Sequence, residues 1–73
     1  MERKIEEGDF LAFAAGVLKV EPSALSLDTR YGSIPEWDSV NHLRLVMEAE
    51  RRFGVSYPLE RIPAMQTLRD FLA

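Results

Sequence analysis

The apolar positions of this 73-residue chain fall into three helical stretches separated by two irregular ones. Phe10, Phe13, Ala14, Val17 and Leu18 recur at i, i+3, i+4, i+7 and i+8, one face of a 3.6-residue period. The spacing predicts a first helix over Asp9 to Leu18. Its start is either Asp9 as a cap or a point nearer Arg3, with Ile5 extending the apolar face. Glu21-Pro22-Ser23 is the expected stop, because proline disfavours helix in the residue before it. From Pro22 to Glu36 no period is sustained, and Pro22, Gly32 and Pro35 punctuate the segment. Leu25, Leu27, Tyr31 and Ile34 are nonetheless spaced through it, which predicts an ordered loop pinned onto the helices rather than a loose linker.

The strongest helical pattern opens at Asp38 or Ser39 and ends at Phe53, with Gly54 placed to terminate it. Two apolar stripes run along it. Leu45, Val46, Ala49 and Phe53 suit a core, while Val40, Leu43 and Met47 are rotated away from them. So small a domain can hardly cover both, so the second stripe is either part of a broad buried face or a docking surface. Beyond Gly54, Pro58 is positioned to start one short helical turn and Pro63 to break the chain again. Met65, Leu68, Phe71 and Leu72 then describe a short amphipathic terminal helix. Val55 to Tyr57 is too short for a strand and has no partner run. The expected fold is all-α: a four-helix bundle of three main helices and one short one, with a long ordered loop between the first two, forming a single domain over residues 1–73.

Composition narrows the chemistry. Apolar residues make up 47% of the chain, an ordinary globular share. There is no cysteine, and His42 is the only histidine, which removes disulfides and leaves little for structural zinc. Nine basic against twelve acidic residues give a net charge of −3, disfavouring a nucleic-acid role. No apolar run approaches a membrane span and the N-terminus lacks a signal-peptide core, so a soluble, cytoplasmic, monomeric protein is expected.

Three constellations could carry chemistry. Asp38, Ser39 and His42 are the residue types of a hydrolase triad, but a 73-residue bundle has little room for an oxyanion site and substrate pocket, and His42 reads as a partly exposed helix residue. Asp28, Glu36, Asp38 and His42 match no metal-ligand spacing and read as solvated or capping groups, so no metal is expected. Ser39 alone is a candidate modification site. At a helix N-terminus the unpaired N–H groups and positive dipole end favour a phosphate ester, but a plain N-cap at Asp38 or Ser39 is the commonest reason for such residues and, on physics alone, the better explanation.

Ile34-Pro35-Glu36-Trp37-Asp38-Ser39-Val40, with Leu43 to Gly54 ending in Glu50-Arg51-Arg52-Phe53-Gly54, resembles the acyl carrier protein family. That family has Asp-Ser-Leu at the start of its second helix and Glu-x-x-Phe-Gly at its end. The resemblance covers nearly the whole chain, Leu18-Lys19-Val20 matching the end of the first helix and Met65 to Leu72 the fourth. It implies a non-enzymatic carrier with 4′-phosphopantetheine attached to Ser39 by a phosphopantetheinyl transferase, Asp38 being the motif neighbour. The arm's thiol holds an acyl or related group as a thioester. Implied partners are an acyl- or aminoacyl-activating enzyme, an acyltransferase or a ketosynthase. Val40, Leu43, Arg44 and Met47, with Trp37 just before them, are the candidate partner contacts. The alternative is a helical interaction module that is never modified.

The chain departs from the carriers of primary fatty-acid synthesis in several places. Val40 replaces the usual leucine, and Trp37 stands where those carriers commonly have glycine. Their second helix is strongly acidic, whereas here Arg44, Arg51 and Arg52 face Glu48 and Glu50, a net of +1. The segment from Gly54 to Ile62 is shorter and less acidic, and Pro63-Ala64 stands where a threonine often caps the last helix. These differences favour a specialised carrier, of secondary metabolism or the cell envelope, with its own partners. Ala14, Ala15 and Ala49 are compatible with an acyl cavity and with close helix packing alike.

Overall fold

Residues 5–72 are described by a computed structural model, in which two α-helices and three 3-10 helices carry the chain. Helix α1 spans Glu7–Leu18, so it starts two residues before Asp9. The alternative start near Arg3 lies outside the described residues. Its end comes before Pro22: Lys19 adopts the left-handed conformation, φ 61, and the N–H groups of Lys19 and Val20 both reach the Ala15 carbonyl. That closure satisfies the helix end locally. Pro22 instead opens a 3-10 helix, Pro22–Ala24.

The loop is ordered as its apolar residues predict. Leu25 and Leu27 are buried and Ile34 is half-buried, while Tyr31 sits at the rim. Ser and Thr side chains close its turns, with Ser26 N–H donating to Thr29 Oγ1 at 2.8 Å and Ser33 Oγ donating to the Arg30 carbonyl at 2.6 Å. Backbone bonds then tie the loop to the C-terminal segment. Tyr31 N–H donates to the Gln66 carbonyl at 2.7 Å and Arg69 N–H to the Leu27 carbonyl at 2.8 Å. An isolated bridge between Arg30 and Thr67 is the nearest approach to sheet, and there is no strand among the described residues.

Helix α2 spans Ser39–Phe53, with Gly54 at φ 68 closing it as the sequence pattern predicts, and of the two candidates for its start Asp38 is the N-cap. After it the chain is less regular than expected. Pro58 caps rather than begins a 3-10 helix, Leu59–Ala64, which accommodates Pro63 within it. The terminal helix is one 3-10 turn, Leu68–Phe71, and Met65 precedes it as a buried anchor. The residue capping that turn is Thr67, beyond Pro63-Ala64, and the Asp70 carboxylate accepts from the backbone N–H groups of Gln66 and Thr67. Those N–H groups hold the Asp70 carboxyl below the usual carboxylate range.

One core joins these elements: Phe10, Ala14 and Leu18 of α1, Leu45, Val46 and Ala49 of α2, and Trp37, Tyr57, Met65, Leu68 and Phe71. The alanines allow close contact between α1 and α2. Tyr57 is buried with its hydroxyl donating to the Phe71 carbonyl at 2.9 Å, and burial pushes its pKa up to about 12. No helix among the described residues is long and apolar enough to cross a membrane.

Candidate functional site

The N-terminus of α2 is built from its own sequence. Asp38 is extended, φ −105 and ψ −173, and its Oδ1 accepts from the Asn41 N–H at 2.9 Å. Asn41 Nδ2 reaches back to the Glu36 carbonyl at 2.7 Å, fixing the chain's entry into the helix. Ser39 is therefore the first residue of α2, exposed, at the positive end of the helix dipole. The capping duty falls to Asp38, which leaves Ser39 available for chemistry. An exposed hydroxyl at that position could bear a phosphate ester in favourable potential.

Trp37 and His42 require correction. Trp37, expected among partner contacts, has no exposed surface, and His42, expected to be partly exposed, is 8% exposed. The turn before α2 folds the indole inward: Trp37 N–H donates to the Ile34 carbonyl, and Gly32 N–H, at φ 81, donates to the Trp37 carbonyl. Inside, Trp37 Nε1 donates to His42 Nδ1 at 3.0 Å, and the two rings stack with centroids 5.9 Å apart. His42 Nε2 lies 3.0 Å from the Ile62 carbonyl oxygen. Tyr31 and Phe71 set their rings edge-on against His42. A sequence signal for His42 was present. It stands at i of an i, i+3, i+4, i+7 row with Leu45, Val46 and Ala49, all of them buried.

Both ring nitrogens of His42 are thus engaged away from Ser39, so the Ser39–His42 pair is not assembled as nucleophile and base. Of the other acidic candidates, Asp28 pairs with Arg69 at 3.1 Å and Asp38 caps α2. The described residues contain no group of three or more His, Asp or Glu placed to hold a metal ion.

The second apolar stripe lies in solvent. Val40 is 66% exposed, Leu43 53% and Met47 64%, and Arg44 on the same face is exposed as well. Between Leu43 on this face and the helix Leu59–Ala64 lies an open groove of about 360 Å³ that Ser39 also lines. Tyr31, His42, Leu43, Ile62 and Met65 wall it, whereas the three alanines weighed as cavity formers do not. The structure therefore brings together Ser39, Leu43 and the edge of His42, places Val40, Arg44 and Met47 outward beside them, and removes Trp37 to the core. The sequence matches no protein-family model and no curated protein.

Proposed function

We propose that this chain is a carrier protein of the acyl-carrier type, a single domain over residues 1–73 on which Ser39 bears 4′-phosphopantetheine. The observation that carries the reading is an exposed serine at the first position of α2, beside Val40, Leu43 and Met47, each more than half exposed. When bound, the arm supplies a terminal thiol that holds an acyl or related group as a thioester. The chain's own part is presentation. Asp38 fixes the helix start, the dipole of α2 favours the phosphate, and the outer face of α2 with Arg44 receives the docking enzyme. On this reading the fold is a four-helix carrier bundle, the 3-10 segments Leu59–Ala64 and Leu68–Phe71 standing in for its last two helices.

The protein is a cytoplasmic monomer without catalytic activity of its own. Its partners are a phosphopantetheinyl transferase and then an acyl- or aminoacyl-activating enzyme, an acyltransferase or a ketosynthase. The net positive second helix favours a specialised pathway, of a secondary metabolite or the cell envelope, over primary fatty-acid synthesis. Incubation with coenzyme A and a broad-specificity phosphopantetheinyl transferase, followed by intact mass measurement, tests this. A mass gain of one phosphopantetheine, lost in Ser39→Ala, is the expected result. A gain that survives Ser39→Ala sinks the assignment to Ser39; no gain sinks the carrier reading and leaves an unmodified helical interaction module, for which the same exposed stripe is the docking face.

A further inference from the structure

The 3-10 helix Leu59–Ala64 forms one wall of the groove at Ser39, yet none of its side chains is fully buried. Ile62 is half-buried and Leu59 is 82% exposed. A segment with so little apolar burial opens at low free-energy cost unless something else holds it. Polar bonds do so here. Arg61 Nη2 donates to the Asp70 carbonyl at 2.8 Å, and His42 bridges from α2 to the Ile62 carbonyl.

The partners of His42 dictate where its proton sits. A carbonyl oxygen only accepts, so Nε2 must carry the hydrogen toward Ile62. An indole N–H only donates, so Nδ1 must offer its lone pair to Trp37. Trp37 is completely enclosed and cannot turn away. The Nδ1–H tautomer would set two donors against each other and leave the Ile62 carbonyl facing a lone pair.

We propose that His42 is a positioning residue for Ser39. As the Nε2–H imidazole locked by Trp37, it latches the helix Leu59–Ala64 against the first turn of α2 and fixes the groove into which the group on Ser39 emerges. What emerges there depends on the carrier reading; the latch itself does not. Because His42 stands one turn along α2 from Ser39, its loss loosens the surface around the serine without removing any atom that reacts. The effect therefore falls on recognition by a docking enzyme rather than on the chemical step.

Nitrogen-detected spectra of the imidazole in the intact chain give the tautomer, and Nε2–H is expected. Amide hydrogen exchange at Arg61 and Met65 reads the latch, since these N–H groups bond to the Pro58 and Ile62 carbonyls. In His42→Leu their exchange rises about tenfold or more while Val46 and Ala49 in α2 keep their protection. His42→Gln offers a donor and an acceptor in turn and restores both amides. With the chain as substrate of a broad-specificity phosphopantetheinyl transferase, His42→Leu raises KM roughly threefold to tenfold at near-constant kcat, and His42→Gln returns it toward wild type. Should His42→Leu fail to fold, Trp37→Phe keeps an aromatic ring in the core while removing the indole N–H, at the cost of a smaller ring in a buried site, and the single tautomer then gives way to a mixture with faster exchange at Arg61 and Met65 than at Val46 and Ala49. An Nδ1–H tautomer in the wild type, unchanged exchange at Arg61 and Met65, or equal loss of protection across α2 overturns the latch. If the wild type takes up no phosphopantetheine while tautomer and exchange behave as expected, the carrier reading fails and the latch stands.

Discussion

Helix α2 has two apolar faces with opposite fates. On one, His42, Leu45, Val46 and Ala49 are buried; on the other, Val40, Leu43 and Met47 each keep more than half of their surface in water. Periodicity places both rows on the helix but does not say which is covered. Burial follows from what packs against each row: α1 and the C-terminal aromatic cluster cover the first, and nothing among the described residues covers the second. The contrast also inverts hydrophobicity, since an imidazole lies inside while a methionine lies outside. His42 tolerates the interior because both nitrogens are bonded, whereas nothing among the described residues buries Met47, which is 64% exposed.

Trp37 gives the sharpest way to break this contrast, because it lies just before α2 and is wholly on the covered side. Trp37→Ala should cost about 3–5 kcal/mol, a large share of the ~5–15 kcal/mol that holds a domain together. It also leaves His42 Nδ1 without its donor. Urea unfolding followed by circular dichroism checks this. A midpoint equal to wild type returns Trp37 to the docking surface.

Much of this was legible in local sequence, and the remainder depended on long-range closure. The limits of α2 were readable because Asp38 and Gly54 act within a few residues of their own position. The inner stripe and the surplus outer stripe were readable from the 3.6-residue period. That Ser39 stands at the start of α2 was legible, whereas the choice of Asp38 over Ser39 as the cap, and with it the exposure of Ser39, was not. The burial of Trp37 was not, because it depends on Gly32 and Ile34 folding the turn inward and on the Ile62 carbonyl, 20 residues beyond His42, meeting the imidazole. The reduction of the terminal helix to a 3-10 turn has the same character. Its backbone is engaged by Leu27 and Thr29 of the distant loop, which compete with a longer helical ladder.

Smaller effects refine the boundary between the two faces. Both rows begin at the capped end of α2, and Asp38→Ala removes the carboxylate that accepts from Asn41 N–H. It should cost about 1 kcal/mol by thermal unfolding and fray the turn that carries Ser39. If the midpoint does not move, the cap is not what orders that turn.

Tyr57 tests the side that covers the inner face. Tyr57→Phe deletes the bond to the buried Phe71 carbonyl and should cost about 1 kcal/mol. The same group adds an alkaline dependence. Its pKa is 10.0 in the unfolded chain and about 12 in the fold, raised chiefly by burial. Below the lower value both states hold the proton. Above it the unfolded chain releases the proton first, so stability present below pH 10.0 is lost as pH rises through about 12. Urea midpoints over that range should fall for the wild type and stay flatter for Tyr57→Phe; parallel slopes would assign the alkaline loss to other groups.

The smallest expected change in stability carries the largest functional meaning. Met47→Glu places a carboxylate on the outer face between Arg44 and Arg51, both of which α2 presents to solvent at helical neighbour spacing. Nothing is uncovered and no core contact is lost, so unfolding should shift by no more than about 0.5 kcal/mol. Circular dichroism should be unchanged. On the proposed carrier reading, the rate of phosphopantetheine transfer to Ser39 should nevertheless fall, because an apolar contact offered to the transferase becomes a hydrated charge that must be stripped of water on docking. A drop in stability of several kcal/mol would mean that Met47 is core after all. A stable variant loaded at the wild-type rate would mean that the transferase does not read this face. Loss of transfer with the fold intact fits a face whose covering is supplied by another molecule, which is what separates the outer row of α2 from the inner one.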